Sequence, residues 1–416
     1  MTKATRRLAA SLASLALGAL VSLPGSAQKL VVNLDHVTPE IADVIVKDFE
    51  AAHPGVTVEI VPKGDQNIAR IVAGQQLDVW QMDIGSGYVD LIRQGLLREL
   101  DPYLERYPDT IANWAPPILE TQKYNGKSYL LPRGDVGLYM TWTNRTMFER
   151  AGLAHPDFDW THDDFVDYAR KLRLDTNGDG SYDQWAYSFD SFYAWRPWFE
   201  NRGGRIVDPA DPTKLALGAP ESVAAVLWME DLVEEGLIPP RTVLTDARGS
   251  YISGRIAMAQ GEARKVVPSI VDQNWEAGVT IEPAGPAGQA LMMTWQGFAI
   301  SATSQYPDLA WEFIRHVTQP RYQALYITEL FSPTVNVALN FEFFGVGVEI
   351  PGFHEAYLRA FQQPVILAVP VVPWDVFNAF DQQVMSRIRN ASGPADQALF
   401  ESLDALQGML TAYYAQ

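Results

Sequence analysis

The 416-residue sequence contains no cysteine. Disulfides, thiolate nucleophiles and thiolate metal sites are therefore excluded, and so is a lipid-modified cysteine after processing. Histidine is scarce: His36, His53, His155, His162, His316 and His354 are scattered, and no two share the helix-face spacing of a zinc site. No G-x-S-x-G elbow, H-E-x-x-H pair or phosphate-cradling glycine loop occurs. Basic residues are too few to offset the acidic ones, 32 against 50, for a formal net charge of −18. That balance repels phosphates and argues against a nucleic-acid partner. Beyond the first residues no apolar run approaches the roughly 18 residues that cross a bilayer. A carboxylate pair at glycosidase separation is neither excluded nor indicated by so many acidic residues.

What is present begins with a basic start, Lys3, Arg6 and Arg7, followed by an apolar stretch from Leu8 to Leu23. Pro24 breaks that stretch, and Gly25-Ser26-Ala27 supplies small residues for cleavage. This is the pattern of a secretory signal covering residues 1–27 and cut after Ala27. The expected product is exported, unanchored and periplasmic. Hydrophobic residues make up 47% and charged residues 20%, a globular composition, and the length suits two lobes rather than one core.

The mature start reads as a βαβ unit. Leu30 to Leu34 is a short buried strand. Thr38 caps a helix with Pro39 in its first turn, and Ile41, Val44, Ile45 and Phe49 recur at helical spacing. His53-Pro54-Gly55 stops it, and Val56, Val58 and Ile60 alternate as a second strand, parallel to the first. Asp78 to Asp83 is a third strand, followed by a helix over 88–94. Tyr129 to Pro132 and Leu138 to Thr143 read as strands around a polar, flexible crossing at 133–137. Helices are expected from Thr161 with a capping box, over 221–235, over 307–317 and from Pro394.

Twelve Trp, 17 Tyr and 18 Phe are present, and several stand in polar company. The densest run is Phe189 to Trp198; Thr294-Trp295-Gln296 and Pro373-Trp374-Asp375 are similar. An aromatic face stacks on the C–H face of a sugar while carboxylates, amides and guanidinium groups bond its hydroxyls. The same composition also serves half-buried core aromatics with satisfied polar tips. Asp175, Asn177, Asp179 and Asp183, with Gly180 between, match the first nine positions of a calcium loop. Position 12 is Ala186 instead of a bidentate Glu, and Asn-Gly and Asp-Gly also favour a tight turn. Calcium, if bound there, is expected to be structural; no other cofactor is indicated.

Together these motifs resemble the extracellular solute-binding proteins of family 1, the maltose-binding-protein-like receptors of ABC importers. The resemblance runs from about Lys29 to the end. It rests on Phe49 to Val58, Asp78 through Gly95-Leu96-Leu97-Arg98-Glu99-Leu100-Asp101, and Tyr124-Asn125-Gly126-Lys127 with Leu131-Pro132. Trp160 to Phe165, Gly254 to Met258, and Gly297 to Ala302 followed by Ala310-Trp311-Glu312-Phe313 continue the family order. It implies a two-lobed α/β fold of the type II periplasmic kind, with mostly parallel sheets, flanking helices and crossing segments. The lobes are expected over 28–134 with 296–332, and over 135–295 with 333–416.

The resemblance further implies a monomeric receptor that closes on a carbohydrate and delivers it unaltered to ABC permease subunits. Its ligand site would be lined by Asp35, His36, Gln66, Asp83, Asp135, Tyr193, Trp195, Trp295 and Trp374. Trp295 and Asp83 are expected to carry affinity without carrying stability. One departure is notable: where many members place an aromatic after Gly261, this sequence has Glu262, Ala263 and Arg264. That replaces a stacking platform by a charge pair. It argues against a long malto-oligosaccharide and leaves open a small polar or anionic ligand such as a sugar phosphate, glycerol phosphate or a polyol, and a secreted glycoside hydrolase is the rival of a different class.

Overall fold

Thr38 stands in extended backbone, and its hydroxyl accepts from the Ile41 amide to open the helix Pro39–Ala52. Ile41, Ala42, Ile45 and Phe49 line its buried side, the stripe that the 3.6-residue period requires. The computed structural model describes residues 28–34, 38–62, 66–330, 332–343, 349–367 and 372–415. The proposed signal, residues 1–27, lies outside them. No described helix is long and apolar enough to cross a membrane.

Ten strands are described: β1 (Gln28–Asn33), β2 (Val56–Val61), β3 (Val79–Asp83), β4 (Lys123–Tyr124), β5 (Lys127–Ser128), β6 (Leu131–Asn144), β7 (Met258–Glu262), β8 (Ala277–Thr280), β9 (Leu291–Ile300) and β10 (Val365–Leu367). β4 and β5 form a small hairpin. The others share a continuous path, β2-β1-β3-β9-β6-β7, with β8 on β6 and β10 on β9. β1 is parallel to β2 and β3, as a helical crossover demands. The pairs β3–β9, β9–β6, β6–β7 and β6–β8 are antiparallel, so the sheet is mixed.

The two strand pieces expected on either side of 133–137 are one strand. The backbone stays extended through Asp135, but its partners change. Leu131 and Pro132 pair with Phe298 and Gly297, and Val136 with Trp295, with an irregularity between. Across that irregularity the chain bonds a third segment instead, Val335 N–H to the Gly134 carbonyl at 2.6 Å and Val136 N–H to the Pro333 carbonyl at 2.7 Å. β6 and β9 thus cross side by side from one lobe to the other.

The expected helices appear as Ser86–Arg93, His162–Leu172, Pro220–Glu234, Pro307–Val317 and Ala395–Tyr414. The Thr161–Asp164 capping box is formed from both sides. Trp185 to Phe189, which alternate like a strand, are buried but make one parallel bridge, Trp185 to Ile256. The Asp175–Asp183 segment is a turn whose oxygens accept its own amides. Asp175 takes Gly178 and Gly180 at 2.6 and 2.8 Å, Asn177 takes Asp179 at 2.8 Å, and Asp183 takes Thr176 at 2.9 Å. Among the described residues no group of three or more His, Asp or Glu side chains is arranged to hold a metal.

Gly297 sits between β3 and β6, opposite Met82 on one side and Pro132 on the other. A Cβ there would lie 2.5 Å from the Leu131 carbonyl oxygen and 2.9 Å from its carbon. Backbone cannot yield as a side chain does, so the strands would have to part. Gly297→Ala is expected to lower unfolding stability by about 1–3 kcal/mol in urea titrations. A change within error would show that the crossing tolerates a wider spacing.

Candidate ligand cavity between the crossing strands

A cavity of about 370 Å³ opens where β6 and β9 leave the first lobe. β3 ends at Asp83, whose carboxylate accepts from Gln296 Nε2 at 2.7 Å; Gln81 in turn donates to Gln296 Oε1 at 2.6 Å. This amide chain fixes the direction of the exposed Asp83 carboxylate at the cavity edge. Trp295, from β9, is 2% exposed, and its indole N–H donates to Thr121 Oγ1 at 3.0 Å. It forms part of the cavity wall from within the core.

β6 contributes the opposite wall. Arg133 grips Asp135 with two parallel bonds, Nε to Oδ1 at 2.8 Å and Nη2 to Oδ2 at 2.7 Å. Its guanidinium lies 5.0 Å from the Tyr326 ring centroid. Two residues further along, Gly137 leaves room for Thr294 and Glu262: a Cβ at 137 would stand 2.5 Å from Thr294 Cγ2 and 3.3 Å from the Glu262 carboxylate. Next to it Tyr139 stacks on Tyr193, centroids 5.0 Å apart and planes 9° from parallel.

Glu262 ends β7 and is 2% exposed although it lines the cavity. Arg264 Nε donates to its Oε2, Lys265 Nζ lies 3.4 Å from Oε1, and the Tyr139 hydroxyl bonds it as well. Burial pushes this carboxyl up, but Arg264 and then Lys265 outweigh burial and hold it below its usual range. Burial foremost, and then the charge of Glu262, keep the Tyr139 hydroxyl protonated. Three acids, Asp83, Asp135 and Glu262, face three cations, Arg133, Arg264 and Lys265, so the lining carries no formal net charge.

Four of the expected site residues meet here: Asp83, Asp135, Tyr193 and Trp295. Trp195 does not. Its segment is the helix Phe192–Asn201, and residues two apart on a helix point about 200° apart. Tyr193 therefore faces the cavity while Trp195 is fully buried, stacked toward Phe377 and donating from Nε1 to Asp381 at 2.9 Å. Trp374 opens the helix Trp374–Phe380, is 39% exposed, and borders a separate cavity. Gln66 begins the helix Gln66–Val72. Asp35 and His36 lie outside the described residues.

Tyr139, Arg133 and Lys265 also line the cavity, and no local pattern in the sequence singles them out. Tyr139 looked like core within an apolar strand, and nothing local marks it as the floor on which Tyr193 stacks. Glu262 and Arg264 were visible as a departure from the family order, and they do form the charge pair that departure suggested.

A two-lobed α/β protein with a walled cavity at the crossing of its lobes has the fold of the periplasmic binding proteins. Residues 36–324 match the bacterial extracellular solute-binding protein family, and the chain belongs to that family. The fold is shared with solved structures of low identity. An ABC substrate-binding protein of Listeria monocytogenes in complex with cycloalternan is 18% identical, with 92% of this chain and 99% of that one aligned and a TM-score of 0.72. The sugar-binding protein MalE of Xanthomonas citri is 16% identical over 93% and 98%, with a TM-score of 0.76. The GacH receptor of Streptomyces glaucescens, solved unliganded and with acarbose, is 19% identical over 92% and 98%, with a TM-score of 0.68. Comparison with curated proteins returned no match.

Behind the cavity, Glu282 is fully buried and accepts from Thr141 Oγ1 at 3.0 Å and Gln260 Nε2 at 2.9 Å. Burial raises its pKa to about 7, with these donors opposing in part. The native state therefore binds the extra proton between the unfolded value near 4.5 and about 7, and stability falls as pH rises through that window. Glu282→Gln should lose about 2–3 kcal/mol less than the parent between pH 5 and pH 8. Parallel stability curves for the two proteins would show that Glu282 is not protonated in the fold.

Proposed function

We propose that this chain binds a neutral saccharide between its lobes and presents it, unaltered, to the permease subunits of an ABC importer. The observation that carries the reading is the charge-balanced cavity with its parallel Tyr139–Tyr193 pair. Aromatic faces suit the C–H side of a pyranose, and fixed carboxylates and guanidinium groups suit its hydroxyls. The cavity volume falls at the lower end of small-molecule sites. Relatives of this fold were solved with cycloalternan, with acarbose and with maltose, which supports a sugar as the cargo.

An anionic ligand such as glycerol phosphate is disfavoured, because it would meet buried Glu262 and compete with it for Arg264 and Lys265. Hydrolysis is disfavoured for a related reason. A glycosidase acid needs a raised carboxyl pKa, whereas Glu262 is held low by its cations. Export through a signal ending at Ala27, delivery to the periplasm and a monomeric state belong to the same reading. So does a lobe division at 134/135, 295/296 and 332/333, supported by the pairing of β6 with β9 and with residues 333–335 near those positions.

Calorimetry against neutral mono- and disaccharides, with glycerol 3-phosphate alongside, tests the proposal, followed by chromatography of the recovered ligand. Turnover would end the receptor reading, and binding of the phosphate alone would end the saccharide reading. Asp83→Ala and Tyr193→Ala are expected to weaken binding at least tenfold, about 1.4 kcal/mol, while ligand-free melting shifts little. Trp295 does not fit that test, contrary to the expectation from sequence. As a buried Trp, its truncation is expected to cost about 3–5 kcal/mol of stability as well.

A further inference from the structure

The lobes touch again where the chain ends. The helix Ala395–Tyr414 buries Leu399, Leu406 and Leu410 in a hydrophobic cluster with Leu217, Val226 and Met229, against the helix Pro220–Glu234. Its last turn extends past that core toward the helix Ser86–Arg93, which is seated on the first lobe by Tyr88, Val89 and Leu91. There Tyr413 Oη donates to Asp90 Oδ1, and Arg93 Nη2 donates to the Tyr413 carbonyl at 3.1 Å. The Arg93 guanidinium stands 4.6 Å from the Tyr413 ring centroid and 5.4 Å from that of Tyr414. Asp90 and Arg93 are three residues apart on one helix face, so together they grip a single tyrosine from the other lobe.

The surfaces around this grip are not packed together. A gap of about 580 Å³ separates Gly87 and Gln94 on one side from Trp374 and Asp375 on the other. Asp90, Arg93 and Tyr413 themselves line this gap. The contact therefore bridges an open seam and does not extend an interface.

We propose that Asp90, Arg93, Tyr413 and Tyr414 form a latch that holds the two lobes together in the ligand-free protein. Opening then requires one hydroxyl–carboxylate bond, one guanidinium–carbonyl bond and the ring contacts to break together. A latch of this kind raises the closed population before any ligand arrives, which lowers the ordering cost of binding and slows release.

The absence of cysteine makes the test direct. Spin labels on Glu105→Cys and Asp231→Cys, both exposed, report the distance between the lobes of the otherwise unaltered chain. Without any ligand, the labelled parent should give one narrow distance distribution. The pair Arg93→Ala and Tyr413→Phe should shift it to longer and broader distances. Tyr413→Phe alone keeps the ring beneath Arg93 and should shift it partway, which also guards against a variant that merely misfolds. A parent distribution as broad as that of the double variant, or a double variant matching a narrow parent, overturns the latch. No saccharide enters the experiment, so its outcome is separate from that of the ligand proposal.

Discussion

β9 is paired on both edges. Asp83 lies opposite Gln296 on one side, and Val136 lies opposite Trp295 on the other. That double pairing fixes the position of the cavity. Each strand's register determines which side chains point the same way, and a slip by one residue would send Trp295 or Tyr139 to the opposite face. The close contact at Gly297 allows the three strands to approach, so the amide chain through Gln81 and Gln296 reaches Asp83 at hydrogen-bond distance.

The charges of the cavity are arranged by the same geometry. Arg133 and Asp135 are two residues apart on β6 and meet in a bidentate pair, while Glu262 is enclosed by cations from the first turn of the helix that follows it. Taking these groups out of water is costly, and their mutual pairing offsets much of that cost. What remains is a lining whose donors and acceptors already point in fixed directions. A polyhydroxyl ligand entering such a lining replaces water without first ordering side chains. The latch at Tyr413 extends that preorganisation from side chains to whole lobes.

Much of the architecture was legible in the residues. The Thr38 cap, the Thr161–Asp164 box and the apolar stripes of the helices at 307–317 and 395–414 are local signals, and local signals survive folding. The aromatic run from Phe189 to Trp198 was legible as composition but not as geometry. Its helical turn sends Tyr193 to the cavity and Trp195 to the core. The long strand β6 looks like two strands in the sequence for a similar reason: Arg133-Gly134-Asp135 has a loop's composition, yet it stays extended by bonding residues 333–335, some 200 positions away.

By itself the sequence determined the class: an α/β chain of family order, without cysteine, rich in aromatics set among polar residues. Those properties depend on composition, on capping and on periodicities within a few turns. Tertiary structure alone decided which aromatics face the cavity, that Glu262 is buried there under Arg264 and Lys265, and that Tyr413 reaches Asp90 across 323 residues. Each of these depends on contacts between segments far apart in the chain, and no window of neighbouring residues contains both partners.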